Sequence, residues 1–268
     1  MKRTEYSGAA LRNISFPLGG IGTGCIGLAG NGRLIDWEIF NTANKASDNG
    51  FSHFAVRVER DGKVIDTRVL NGDIDVDCTG QFGKSFGHGI SNVTMAGFPH
   101  FRNCVFRGEY PLATLEFDDS DFPGQAELTA FNPLIPLDSD SSSLPVAMFS
   151  FKVKNTTDEP LDYILSAVLR NPRNNSVNTA VREDGVSAVF LDNTDNTDTK
   201  HYVSSKSGNT LGDDHVDLAG FAIGDHSIEI ITFFQRGTTD ALVGIDAYQF
   251  PLWMMDNEIL VIFLLQLE

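Results

Sequence analysis

Apolar and polar residues alternate along most of the chain, in runs that turn residues separate. The first clear pair of runs covers residues 54–58 and 64–70, with Asp61-Gly62 between them. A period of two places successive side chains on opposite faces of a strand, and Asp-Gly favours a two-residue hairpin turn. These residues therefore predict a β-hairpin. Further strand-like runs are residues 112–117, 126–131, 146–153, 161–169, 186–191, 216–223 and 227–234.

The runs 146–153 and 161–169 show the alternation most clearly. In the first run, Phe149 and Phe151 share a face with other apolar residues, while Lys152 and Lys154 fall on the opposite face, which should reach solvent at its later end. The turn residues 155–160 separate the two runs. We expect two long antiparallel strands here.

No window longer than about ten residues carries an apolar stripe at helical spacing, so the chain is predicted to be all-β. Strands of this number bury their apolar faces by stacking, which predicts a large two-sheet antiparallel β-sandwich over residues 1–250. The polar stretches 171–198 and 204–214 are predicted as surface loops. Residues 251–268 are apolar without alternation, which indicates either a buried final strand or the remnant of a truncated or frame-shifted gene.

Charge and cysteine content narrow the classes of partner and compartment. The 268 residues carry a net charge of −16, which disfavours nucleic acid and anionic lipid surfaces as partners. The apolar stretch 259–265 is too short to span a membrane, and polar residues interrupt any secretory signal in residues 1–20, so a cytoplasmic location is expected. The odd, widely spaced cysteines Cys25, Cys78 and Cys104 are predicted to be free thiols, mostly buried.

The string from Gly22 to Gly27 matches the G-x-G-x-x-G pattern of dinucleotide sites. That site requires a strand before the glycines and a helix after them, whereas Pro17 precedes these glycines and the following residues suggest a hairpin around Asn31-Gly32. We therefore expect the glycines at 19, 20, 22, 24 and 27 to permit bulges and close backbone contacts.

Metal and cofactor chemistry has little support in the sequence. Asp192, Asp195 and Asp198 could surround a calcium ion, but their spacing fits no EF-hand, and a solvated loop is the ordinary explanation. The six histidines are scattered, without the spacing of a zinc site. No cofactor is expected, and neither a nucleophile elbow nor an identifiable acid/base pair is present, so no catalytic residue is assigned.

Aromatic rings next to carboxylates and amides are typical of sugar recognition, because a ring face covers the apolar side of a pyranose. Asp36, Trp37 and Glu38, followed by Asn41, have this composition. The alternative is that Trp37 belongs to the core and its neighbours lie on the wet side of a strand, and this is the interpretation we favour. His88 and His100 lie in a glycine-rich, aromatic stretch and could line a cleft loop, although hydrogen-bonded structural histidines are more common.

Several ordered segments resemble the N-terminal domain of glycoside hydrolase family 116, which contains the bile acid β-glucosidase, or non-lysosomal glucosylceramidase, and its bacterial relatives. The resemblance is clear over residues 8–170 and weaker to about residue 245. The segments are FPLGGIGTGCIG at 16–27, NGRLIDWEIFN at 31–41, AGFPHF at 96–101, GEYPLATLEF at 108–117, AFNPLIPLD at 130–138 and LPVA at 144–147.

The resemblance implies a large β-sandwich that precedes a helical (α/α)6 barrel, and the barrel carries the two catalytic carboxylates of a retaining β-glycosidase. We expect these 268 residues to lack that barrel and to be inactive alone. Trp37, Glu38, His88 and His100 are then candidates only for the rim of a β-glucoside site.

Three hypotheses follow from the sequence and the resemblance. The first is an N-terminal domain that supports a helical catalytic domain and leaves an apolar patch exposed where that domain docks. The second is a stand-alone carbohydrate-binding module. The third is a structural partner that completes a hydrolase encoded on a separate chain.

Overall fold

A computed structural model describes residues 4–39, 43–73, 95 and 97–170, and beyond these only the strands that lie between residues 176 and 267. The helical segments within this part are a 3-10 helix at Gly8–Asn13 and the short helix α1 at Ser139–Ser142. No helix in the described ranges is long and apolar enough to cross a bilayer. The strands are β1 (Glu5–Ser7), β2 (Ser15–Leu18), β3 (Cys25–Ala29), β4 (Leu34–Glu38), β5 (His53–Arg60), β6 (Lys63–Val69), β7 (Asn103–Glu109), β8 (Leu112–Asp118), β9 (Gly124–Phe131), β10 (Val146–Asn155), β11 (Asp162–Val168), β12 (Ser176–Glu183), β13 (Val186–Asn193), β14 (Val216–Phe221), β15 (Gln235–Arg236), β16 (Leu242–Val243) and β17 (Glu258–Leu267).

The strands form one large sheet and three small ones. The large sheet has nine strands in the order β1-β7-β8-β9-β10-β17-β14-β13-β12. Two three-stranded sheets, β11-β5-β6 and β2-β3-β4, place their buried side chains in the same core as the large sheet, and β15-β16 is a separate pair. The pairings between these named strands are antiparallel. The all-β antiparallel prediction is confirmed, and the layer opposite the large sheet is divided into separate small sheets.

The hairpin predicted at Asp61-Gly62 is present as β5 and β6. Asp61 and Gly62 have φ angles of 51° and 71°, the left-handed values that a type I′ turn requires at both central positions. Along β5 the even-numbered residues from Phe54 to Val58 are buried and those between them are only partly buried. Along β6 the burial is lower, and Val64 and Ile65 are exposed.

The strands β10 and β11 lie in different sheets and face each other across the core. Phe54 of β5, the strand that pairs with β11, packs against Phe149 and Phe151 of β10, with ring centroids 5.0 and 4.8 Å apart. Lys152 and Lys154 on the other face are exposed, as the pattern predicts. In β11 both faces are buried over residues 163–168, so Ser166, on the face opposite the apolar set, is also buried.

Beyond residue 170, the structure contains strands in the predicted loop region and in the apolar tail. β12 falls in the stretch 171–198 that was predicted as a surface loop, and this prediction is wrong for residues 176–183. The alternating β-branched residues at 177, 179 and 181, followed by Asp184-Gly185, form a hairpin pattern that the many polar residues obscure. The apolar tail contains β17, which pairs with β10 on one edge and β14 on the other. The predicted strand at 227–234 and the loop at 204–214 lie outside the described residues, and the domain boundary at residue 250 stays a prediction.

Candidate functional site

The β3–β4 hairpin carries the candidate rim residues Trp37 and Glu38. Its register is irregular between Cys25 and Gly27, and Asp36 opposite has a φ of 51°. Aspartate tolerates this left-handed conformation better than most residues. Here the Asp36 carboxylate is also anchored, because it accepts hydrogen bonds from the Ser15 hydroxyl at 2.7 Å and the Ala46 backbone N–H at 2.5 Å. This anchor fixes which neighbouring side chains point into the core.

Trp37 is completely buried. Its indole N–H donates to the backbone oxygen of Leu34 at 3.3 Å, and its backbone N–H donates to the Ser47 hydroxyl at 2.7 Å. The side-chain amide of Asn44 donates to the backbone oxygen of Trp37 at 3.1 Å. With its polar groups satisfied and its ring inside the core, Trp37 offers no ring face to a ligand, as the core alternative expects. The same alternative is wrong for Asp36, which is buried and does not lie on a wet face of the strand.

Glu38 is partly buried and lies beside a cation. Its carboxylate accepts hydrogen bonds from the Lys45 ammonium at 2.5 Å and from the Asn44 backbone N–H at 3.2 Å. Partial burial raises the pKa of Glu38, but hydrogen bonds from Lys45 and Asn44 outweigh it, so the pKa is lowered overall. The carboxylate is therefore ionised at neutral pH. It can accept hydrogen bonds from a ligand, but it cannot act as a general acid.

The environment of the thiols close to this hairpin favours their neutral form. The thiol of Cys25 donates to Glu38 at 3.5 Å, and burial together with the negative charge of Glu38 raises its pKa. Burial raises the pKa of Cys104 to about 12. Both cysteines are free, as predicted, and Cys78 lies outside the described residues.

The glycine-rich loop between β2 and β3 is shaped by close backbone contacts. A Cβ atom on Gly19 would lie 2.3 Å from the Gly24 oxygen, and a Cβ atom on Gly24 would lie 2.5 Å from the Glu38 oxygen. On the other side of the loop, a Cβ atom on Gly20 would lie 2.3 Å from the Leu144 oxygen. An antiparallel strand, not a helix, follows these glycines. The close contacts predicted for the glycines are confirmed at Gly19, Gly20, Gly24 and Gly27, whereas an added Cβ at Gly22 would meet open space. The helix that a dinucleotide site requires is not at this position.

Asn132 joins three connections of the sandwich. Its side-chain oxygen accepts a hydrogen bond from the Gly19 N–H at 2.7 Å, and its side-chain amide donates to the Pro17 oxygen at 2.9 Å. Its backbone N–H donates to the Pro111 oxygen at 3.0 Å. Asn132 is buried, so these hydrogen bonds are sheltered from water. They hold the β2–β3, β7–β8 and β9–β10 connections together at one edge of the fold.

Exposed apolar side chains cluster on these connections. Ile21, Ile135 and Leu144 are 58%, 53% and 51% exposed, and Leu137 is fully exposed. We call these four residues the apolar loop face. Tyr110 and Leu112, which are also exposed, lie on the adjoining β7–β8 connection and the start of β8.

Ser142 forms hydrogen bonds with the backbone of the apolar loop face. Its backbone oxygen accepts a hydrogen bond from the Ile21 N–H at 2.9 Å. Its hydroxyl pairs with both backbone groups of Ile135, accepting from the N–H at 2.9 Å and donating to the oxygen at 3.0 Å. The backbone of the face is therefore held by hydrogen bonds, although its side chains project into solvent.

Leu137 has an unusual backbone conformation for a bulky residue. The Asp138 N–H donates to the Ile135 oxygen at 3.0 Å, which closes a β-turn with Pro136 and Leu137 at its centre. The φ of Leu137 is 70°. Proline followed by a residue of positive φ is the pattern of a type II turn, in which the third position strongly favours glycine. A leucine at this position is strained, and its side chain is exposed.

His100 belongs to a different cluster. Its ring nitrogens lie 2.8 Å from the Phe98 oxygen and 3.4 Å from the Asp73 carboxylate. Its backbone oxygen accepts a hydrogen bond from Arg68, whose guanidinium also pairs with the buried carboxylate of Asp119 at 2.7 Å. These contacts place His100 beside the ion pair of Arg68 and Asp119, and its place at the rim of a substrate site stays a prediction. His88 lies outside the described residues.

A small polar pocket lies beside β5. It has room for about one water molecule, so it does not fit a sugar ring. Burial lowers the pKa of His53 in its wall, and the side-chain oxygen of Asn71 there has no hydrogen-bond partner. The lining residues are Arg33, Leu34, Asp48, Gly50, Ser52, His53, Asn71 and Met95.

Within the described ranges, no three His, Cys, Asp or Glu side chains are grouped so as to hold a metal ion. Asp195 and Asp198, from the calcium alternative, lie outside the described residues, and Asp192 is described only as part of the β13 backbone. The calcium alternative therefore stays a prediction.

Asn132, Ser142 and Leu137 are not among the candidates that the sequence predicts. The available signal was the segment 132–138, where Asn-Pro and a second proline before Leu137 indicate turns that hold apolar residues outside any strand. The partners of Asn132 are more than 100 residues away along the chain, and no local pattern indicates them.

The family comparison covers both the hairpin and the loops. The model described as "beta-glucosidase 2, glycosyl-hydrolase family 116 N-term" matches residues 15–236. This range includes the glycine-rich loop, Glu38, Asn132 and the apolar loop face. It confirms the resemblance seen in the ordered sequence segments. The chain therefore belongs to the family of N-terminal domains of glycoside hydrolase family 116.

Proposed function

We propose that this chain is the non-catalytic β-sandwich domain of a retaining β-glucosidase or glucosylceramidase, where it packs against and supports a helical catalytic domain. The observation that carries the proposal is the family match over 15–236 in a chain whose described part is antiparallel β-structure. A catalytic domain accompanies this N-terminal domain in full-length relatives. Function in such enzymes depends on a site that this sandwich does not contain by itself.

The chemistry of the hairpin supports a non-catalytic role. A retaining glycosidase needs two carboxyl groups about 5–5.5 Å apart, one of which is protonated to act as an acid. Glu38 is instead held ionised by Lys45, and the nearby carboxylate of Asp36 is occupied by Ser15 and the Ala46 N–H. Glu38 therefore has no proton to give to a leaving oxygen, and the Asp36 carboxylate is engaged in hydrogen bonds within the domain.

Glu38 retains a role at the rim of the substrate site in this proposal. Its backbone oxygen lies beside Gly24, and the glycine-rich loop connects this position to the apolar loop face. A catalytic domain that covers the loops would bring its own surface close to Glu38. The carboxylate would then accept hydrogen bonds from sugar hydroxyls at the border between the two domains.

The experiment measures aryl β-glucoside hydrolysis by the purified chain, alone and after co-expression with the helical catalytic domain of a family 116 enzyme. We expect no hydrolysis by the chain alone and a stable, active complex after co-expression. Hydrolysis by the chain alone that survives repurification and is abolished by Glu38→Gln, but not by Glu159→Gln, would overturn the proposal. Glu159 is a suitable control because it is an exposed carboxylate that is also paired with a basic side chain, Arg60.

A carbohydrate-binding module remains the alternative function. Its main aromatic candidate, Trp37, is buried, so the alternative would have to use other rings. Calorimetry with glucose and cellobiose on the same sample distinguishes the two functions. Binding at millimolar or lower concentration by the chain alone would favour the module.

A further inference from the structure

Four exposed apolar side chains lie on loops that hydrogen bonds connect to one another, and Leu137 among them adopts a backbone conformation that favours glycine. The backbone strain lowers the stability of an isolated domain, and the exposed apolar side chains do nothing to offset that cost. An exposed apolar group gains nothing from the hydrophobic effect, and a left-handed leucine is strained. Their combination at one turn indicates that the side chain is placed for contact with another surface.

We propose that the apolar loop face is the docking surface for the helical catalytic domain, with Leu137 as its central contact. This inference rests on the proposed function, because it assigns a position to the packing that the proposed function requires. An interdomain contact buries about 600–1,500 Å². The four residues of the face, with Tyr110 and Leu112 beside them, provide the apolar centre of such a contact.

The hydrogen bonds of the loops indicate what kind of surface fits. The N–H groups of Gly19, Ile21, Ile135 and Asp138 are already bonded within the domain. An added β-strand needs free backbone donors and acceptors at the edge it joins. A partner that meets this face must therefore pack on its side chains, as the side chains of a helix surface do.

Charge argues against a second copy of the chain as the occupant. Each copy carries a net charge of −16, so two copies repel each other. Asp138 and Asp140 lie immediately beside Leu137 in sequence, and the hydroxyl and N–H of Ser141 hold the Asp138 carboxylate with a lowered pKa. Acidic groups at the border of an apolar face are suited to a partner with basic residues at its rim.

The test compares variants of the full 268-residue chain that is co-expressed with the helical catalytic domain of a family 116 enzyme. Leu137→Gly and Leu144→Asp change the proposed face, and Val64→Asp changes a side chain of β6 with matching exposure, 55% against 51% for Leu144. Dissociation constants of the purified complexes are measured by titration calorimetry. We expect Leu137→Gly and Leu144→Asp each to weaken binding at least tenfold, and Val64→Asp to change it less than twofold.

The outcomes separate this inference from the proposed function. If the unaltered chain forms no complex with the helical domain, the proposed function and this inference both fail. If the complex forms and all three variants bind equally well, only the docking face is wrong. If the chain alone sediments as a dimer that Leu137→Gly dissociates, the face binds a second copy, and the inference is overturned in favour of self-association.

Discussion

The β5–β6 turn and the turn at Leu137 both hold residues in the left-handed region, but they differ in the side chains that they expose. At the β5–β6 turn the residues are Asp61 and Gly62, one polar and one without a side chain. At the β9–β10 connection the residue is Leu137, which is bulky and fully exposed. The first turn follows the local rules for a hairpin, whereas the second breaks them in both conformation and polarity.

The difference indicates which turn is shaped for folding and which for contact. The β5–β6 turn needs no help from distant residues, because its own sequence favours its conformation. The turn at Leu137 is instead held by distant contacts, through Ser142 to Ile21 and through Asn132 to Gly19. A conformation that the surrounding structure maintains against local preference is typical of functional surfaces.

The largest loss of stability is expected when the glycine-rich loop is pushed away from the β9–β10 connection, which contains Leu137. In Gly20→Ala the new Cβ would lie 2.3 Å from the Leu144 oxygen and 2.6 Å from the Ser143 carbonyl carbon, and neither backbone atom can move without shifting the strand entry. We expect the free energy of unfolding to fall by about 3 kcal/mol, measured as a lower urea midpoint. An unchanged midpoint would show that the two connections are not packed as described.

Removing the Asn132 side chain tests the same contact without adding bulk. Asn132→Ala leaves the Gly19 N–H and the Pro17 oxygen without their partner in a buried position. We expect a loss of about 2 kcal/mol in the free energy of unfolding. Asn155→Ala is the control, because the Asn155 side chain also hydrogen-bonds backbone groups but in an exposed position where water can replace it, and its loss should be smaller. Equal losses for both variants would mean that the burial of the Asn132 hydrogen bonds adds nothing to stability.

The same contrast, between local signals and distant contacts, explains which parts of the fold the sequence could predict. The β5–β6 hairpin could be predicted because Asp61-Gly62 and the alternation around it are local signals. β12 could not be separated from a loop because its polar residues hide the alternation. The division of the layer opposite the large sheet into small sheets depends on contacts between distant strands, such as β11 with β5, that periodicity does not encode.

In the candidate site too, burial and long-range contacts could not be predicted from the sequence. The sequence identified the segment around Trp37 but could not show that burial removes the indole ring from the surface. Glu38 and His100 stay rim candidates from the sequence, and in the fold their side chains contact different groups, Lys45 and Asp73. The sequence led us to expect an exposed apolar patch but not its position. The position of the apolar loop face depends on the hydrogen bonds of Asn132, whose partners are distant in sequence.

A smaller effect is expected at the hairpin that follows the local rules. Gly62→Ala places a Cβ in open space, so the only penalty is a left-handed alanine at a φ of 71°. We expect a loss of about 1 kcal/mol in the free energy of unfolding and no change in binding to a helical catalytic domain. A loss as large as that of Gly20→Ala would mean that this turn also depends on long-range contacts, and the contrast between the two turns would disappear.

The smallest effect has the opposite sign, and it is the most informative about the Leu137 turn. In Leu137→Gly the residue that a type II turn favours replaces a strained leucine, and no buried contact is lost because the side chain is fully exposed. Relief of strain exceeds the added chain entropy of glycine by a small margin, so we expect a gain of about 0.5 kcal/mol in the free energy of unfolding. Urea unfolding of the isolated chain measures this gain. A loss of stability would show that Leu137 packs within its own domain, whereas a gain together with weaker binding would show that the turn gives up stability for contact with a partner.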